Sequence, residues 1–118
     1  MHSTRGVDAV PCVYAVDGDG HLAVPVDQIK PKRPGPLQRE RNLARDPRAT
    51  LLIDHWDPVD WTRLWWVRAN LLAVPADPAR SAALGDRLRQ RYPPYRAAVW
   101  DRLLVFEIVA VSGWAGSA

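Results

Sequence analysis

The sequence predicts a mainly β domain, a small antiparallel barrel with flanking helices, and three observations carry that expectation. Apolar runs separated by turn signals follow the order strand, strand, helix, strand, strand, helix, strand, with hairpin-like pairings and no βαβ alternation. Asp17-Gly18-Asp19-Gly20 stands between the first two runs as a strong turn signal. Trp61 to Val74 is apolar on both of its alternating faces, with Trp65 on one side and Trp66 on the other. Such a strand suits a barrel wall that also contacts a second subunit.

Each element follows from local chemistry. Val7 to Val16 reads as a strand with Pro11 at an edge position or bulge, and His21 to Val26 as its returning partner. Pro36 suits the first turn of a short helix running to about Arg45, which Asp46-Pro47 ends, because the residue before proline is pushed toward extended backbone. Ala49 to His55 is a third strand, apolar enough to be central, and Trp56 to Asp60 a loop before the long fourth strand. Asp77-Pro78 pairs an N-cap with a first-turn proline and opens a helix to about Arg91, with Leu84, Leu88 and Tyr92 as its buried stripe. Tyr92-Pro93-Pro94-Tyr95 breaks that helix, a further turn spans Arg96 to Asp101, and Leu103 to Trp114 is the last strand.

The 118 residues suffice for one core, and 47% hydrophobic against 25% charged residues argues against disorder. Six tryptophans against one phenylalanine is unusual, and several could line a pocket or an interface. Cys12 is the lone cysteine, so no intrachain disulfide forms and a reducing compartment is the simplest reading. No apolar run approaches bilayer-spanning length, and Met1 to Gly6 lack the apolar core of a signal peptide. A cytoplasmic protein is therefore expected. A pI near 9.5 permits nucleic-acid binding, but a net charge of +3 supports it only modestly.

That excess originates in one stretch. Asp27 to Arg48 holds seven basic and three acidic residues, and the rest of the chain is slightly acidic. Both of the chain's lysines, Lys30 and Lys32, lie in it, on an approach stiffened by Pro31, Pro34 and Pro36. Ammonium groups beside a helix N-terminus make an anion site, and a solvated basic loop is the competing reading.

The runs V-D-Q-I-K-P-K-R, R-N-L-A-R-D-P-R, A-T-L-L-I-D-H and R-L-W-W-V-R, with the ending V-S-G-W-A-G-S, resemble the pyridoxamine 5′-phosphate oxidase-like split-barrel proteins. The K-P-K-R and L-W-W-V-R pieces are similar to the actinobacterial F420-dependent branch. The resemblance covers roughly Val7 to Ser117. It implies a six-stranded split barrel of the FMN-binding type, dimeric, with two cofactor sites at the dimer interface. The cofactor would be the deazaflavin F420, or alternatively FMN. Its phosphate and carboxylate partners would be Lys30, Lys32, Arg33 and Arg39, with backbone contacts to the ring system from Val10-Pro11 and Val26-Asp27. Members usually carry a helix and a strand ahead of the segment matching Val7. The resemblance therefore implies either a shortened member with an open barrel edge or a start downstream of the true one.

Other constellations are weaker. A strand puts Asp54 and Trp56 on one face and His55 and Asp57 on the other, so a polar strand end is a better reading than a metal site. Cys12, in a strand, would be buried and inert. Glu107 would face solvent, or pair inward with an arginine. Trp65, Trp66 and Trp114 could stack near a flavin-like ring or simply pack, and Arg68 could pair with an acid or contact an anionic substrate. His2 and His21 have no partner in sequence, and signatures for nucleophilic, zinc-hydrolase and NTPase chemistry are missing. The leading expectation is a homodimeric oxidoreductase passing a hydride from reduced F420 to a small-molecule acceptor, with the cofactor supplying the reactivity and no catalytic side chain nominated. A non-catalytic F420- or FMN-binding carrier or sensor is the alternative, and a single-strand-binding barrel a distant third.

Overall fold

The structure, a computed structural model, describes residues 1–27, 35–96 and 100–117, the side chains of Asp27 and Asp101 excepted. Strands β1 (His2–Ser3) and β2 (Gly6–Val7) form a small hairpin. Strands β3 (Ala15–Val16), β4 (His21–Asp27), β5 (Arg48–His55), β6 (Trp65–Val74) and β7 (Trp100–Ala115) form one antiparallel sheet in the order β3-β4-β7-β6-β5. Helix α1 (Gln38–Arg45) joins β4 to β5, and α2 (Pro78–Arg91) joins β6 to β7. The fold is thus mainly β with flanking helices. Among the described residues no ladder joins β5 back to β3, so the sheet is open at those edges.

The hairpin turn is built as its composition dictates. Asp17 Oδ1 accepts from the N–H groups of Asp19 (2.8 Å) and His21 (3.0 Å), and Gly20 takes φ +80°. Elsewhere tertiary context overrides local reading. The stretch expected as a strand from Val7 to Val16 contributes only Ala15–Val16 to the sheet. Pro11 has no N–H to donate, and Asp8 is drawn to α1, where its carboxylate accepts from Asn42 Nδ2 at 2.9 Å. Helix α1 starts at Gln38, so Pro36 precedes its N-cap instead of filling the first turn. Strand β6 starts at Trp65, because Asp60 accepts from Thr62 N–H and caps a 3-10 turn at Trp61–Arg63. Strand β5 is an edge, not a central strand: β7, 16 residues long, pairs on both sides and takes the middle.

The sheet buries both faces near β4. Leu22, Val24, Leu71 and Phe106 pack under Leu43 of α1, and Ala23 and Val105 pack on the other face under Leu84 and Leu88 of α2. Asp77 caps α2 as expected, accepting from Arg80 N–H at 2.9 Å. Gly85 lets this helix lie against Trp100: a Cβ there would meet Trp100 Cζ2 at 2.8 Å. Gly85→Val should therefore destabilise the protein by about 2 kcal/mol through overpacking. A urea midpoint within error of the parent would show that the indole yields freely.

A register shift between Asn70 and Leu71 marks a bulge at Val109 on β7. Phe106 and Trp114 are eight residues apart and would share a face of a regular strand. With the extra residue, Phe106 faces the α1 core and Trp114 pairs with Trp66 on the opposite face. Beyond the bulge Val111 and Trp114 of β7 are exposed.

Candidate functional site

Two regions concentrate the chemistry, at opposite ends of β7. The first lies where β4 leads into α1. Lys30, Lys32 and Arg33 lie outside the described residues, and of the four expected phosphate partners only Arg39 can be placed. It stands in the first turn of α1, and its Nε is shielded from solvent with no acceptor among the described residues. Arg39 and Val10 line one small cavity of about 70 Å³, together with Met1, Cys12, Val24 and Leu43. Pro11 is exposed beside it. Val26 is fully buried and ladders with Arg102 of β7, while Asp27 follows a register shift opposite Trp100. The structure therefore brings Arg39 and Val10 together and places Val26 in the core.

Cys12 sits on irregular backbone and is exposed, so the expectation of a buried strand cysteine is corrected. Desolvation pushes its thiol pKa upward, with Arg39 pulling the other way, which leaves little thiolate at neutral pH.

Glu40 organises the helix start. Its Oε1 accepts from Leu37 N–H at 2.9 Å, and its Oε2 from Arg102 Nε at 2.7 Å, tying α1 to β7. The Arg102 hydrogen bond holds the Glu40 carboxyl below its ordinary pKa, against the desolvation that would raise it. A depressed carboxylate contributes stability that is present above its unfolded value and lost as pH falls through the folded one. Glu40→Gln should cost about 1 kcal/mol at neutral pH, and the deficit should shrink by about pH 3. Denaturation midpoints of both proteins at the two pH values check this, and a pH-independent deficit would contradict it.

The second region is the far end of β5, β6 and β7. Trp56, Trp65, Trp66 and Trp114 line an open pocket of about 540 Å³ with Leu52, Asp54 and Arg68. Trp65 stacks on His55 with ring centroids 5.9 Å apart, while Trp56 meets Trp61 at 6.4 Å. The Arg68 guanidinium lies 5.4 Å from the Trp66 ring centroid, and among the described residues no carboxylate is within ion-pair distance of it. Glu107 is exposed on the same face of β7. Gly113 and Gly116 let the end of β7 run close to the carbonyls of Trp66 and Trp61, where added Cβ atoms would lie 2.9 and 2.5 Å away.

Strand β5 ends at His55, so Asp57 belongs to the loop after it, while Asp54, His55 and Trp56 line one pocket. Asp57 turns to its own loop, accepting from Val59 and Asp60 N–H at 2.9 Å each, and those bonds lower its pKa. No group of three or more His, Cys, Asp or Glu side chains converges among the described residues. No helix among them is long and apolar enough to cross a membrane. Sequence reasoning grouped Trp65, Trp66 and Trp114 as side chains that could stack near a flavin-like ring and expected several tryptophans at a pocket or an interface, but it gave Leu52 and Trp56 no part in one. The density of tryptophan was the available signal. No protein-family model matches the chain, and no curated protein matches it either.

Proposed function

We propose that this chain is a deazaflavin-dependent oxidoreductase of the pyridoxamine 5′-phosphate oxidase-like split-barrel class, with FMN as the alternative cofactor and a small molecule as hydride acceptor. Arg39 carries the reading. A guanidinium Nε withdrawn from water without an acceptor is costly, and it stands directly after the Lys30-Lys32-Arg33 segment at a helix start. An anionic cofactor tail would satisfy it, and phosphate or carboxylate is the group that such donors fit. Lys30, Lys32, Arg33 and Arg39 would hold the tail, and the cofactor, when bound, supplies hydride chemistry. The chain's own part is to bind, orient and exclude water.

A homodimer fits the same reading. Val109 and Val111 are exposed on β7 at and beyond the bulge, outside the lining of the tryptophan pocket. A second copy is the expected cover.

The test is a fluorescence titration of the purified chain with F420 and with FMN, followed by turnover assays with reduced F420. Saturable binding of either cofactor at about 50 µM or below supports the reading, and no binding of either removes it. Tight binding with no turnover of any acceptor would make the chain a carrier or sensor.

A further inference from the structure

We infer that the tryptophan pocket at the far end of the sheet is a binding site for a planar aromatic molecule carrying one anionic group. The inference goes beyond the deazaflavin reading and does not depend on it. Within one chain the pocket and the described end of β4 lie at different places along β7: Asp27 ladders with Trp100, whereas Trp66 ladders with Trp114.

Three features define the ligand. Trp66 and Trp114 are direct cross-strand partners on one face, and both line the pocket together with Trp56 and Leu52. Indole walls of this kind offer apolar rings against which a flat aromatic molecule packs. Arg68 lines the same pocket, opposite Leu52 in the ladder, its guanidinium carbon 5.4 Å from the Trp66 ring centroid and no described acid within ion-pair distance. A guanidinium over a ring face has N–H groups with which to grip a carboxylate or similar anion. Asp54, opposite Trp66, sets the polarity: it repels an anion at its own end and directs that group toward Arg68 and Thr50. The volume of about 540 Å³ admits a molecule of two or three fused rings. Structural packing alone does not account for the arrangement, since Leu52 is 62% and Trp114 51% exposed.

The probe is 2-naphthoate, with 2-naphthamide as its neutral counterpart, titrated calorimetrically into the full chain while the indole N–H signals are followed by NMR. Naphthoate should bind with a dissociation constant below about 1 mM and the amide about tenfold more weakly. Arg68→Met should erase that difference and leave amide binding intact. Trp114→Leu should abolish both. Should Arg68→Met fail to fold, Leu52→Glu, at an exposed position, should reject naphthoate far more than the amide. Equal affinities for the two probes, no saturable heat below about 5 mM, or an unchanged preference in Arg68→Met would each overturn the inference. Naphthoate binding by a chain that ignores F420 and FMN would keep the pocket and remove the oxidoreductase reading; the reverse pattern would do the opposite.

Discussion

Truncating Leu88 to alanine should cost about 3 kcal/mol and lower the melting temperature by roughly 15 °C. Leu88 is fully buried between α2 and the sheet, in one cluster with Leu84, Ala23 and Val105. Removing its branched end takes away the transfer free energy of the lost carbons. It also leaves a void walled by two β-strand residues that cannot follow a helix inward. Neighbouring contacts limit collapse further: Tyr92 OH donates to the Tyr14 carbonyl at 3.2 Å and pins the end of α2 to the strand approach. The control is Arg87→Ala on the exposed side of the same helix, expected within about 0.5 kcal/mol of the parent. Urea denaturation of the three proteins checks both numbers. Similar midpoints for all three would mean that α2 is not packed on the sheet as described.

Replacing Lys30 and Lys32 together by alanine should weaken binding of F420, or of FMN, by roughly a hundredfold, each charge-assisted contact supplying on the order of 1.5–3 kcal/mol at most. Thermal stability should barely change, because a cationic segment that awaits an anion adds self-repulsion in the free protein. The parent's affinity should fall as salt rises, and the variant's should fall less. Titrations at two ionic strengths read both effects. Unchanged affinity in the double variant would detach the lysines from the cofactor even if the cofactor binds. Arg39→Met is the companion: its stem lines the small cavity beside Val10, so methionine keeps the packing while removing the donor.

Local chemistry made much of the fold legible. The Asp-Gly-Asp-Gly turn, the Asp77-Pro78 helix start and the Leu84-Leu88-Tyr92 stripe depend on neighbours within a few residues, and each stands where its sequence places it. The antiparallel arrangement was readable because short connections and turn residues leave little room for crossovers. Misreadings occurred where a distant partner decided. Asp8 left the strand path to meet Asn42, and Ala49–His55, although apolar, became an edge because β7 had length enough to pair twice. Half of the candidate chemistry was also legible, since charge clustering around Lys30 and Lys32 is a property of the chain itself. That tryptophans could line a pocket was legible from their number, but which residues meet in it was not, because its walls come from three strands.

From the sequence alone come the β-rich class, the turn and cap positions, the basic segment before α1 and the surplus of tryptophan. These rest on interactions between residues adjacent in the chain, or on composition. Strand order, the shielding of Arg39 Nε and the meeting of Trp66 with Trp114 were decided only by tertiary structure. For the last of these the physical reason is the single extra residue at Val109. It reverses the side-chain alternation of β7, turns Trp114 away from the core that holds Phe106, and sets it beside a partner 48 positions earlier in the chain.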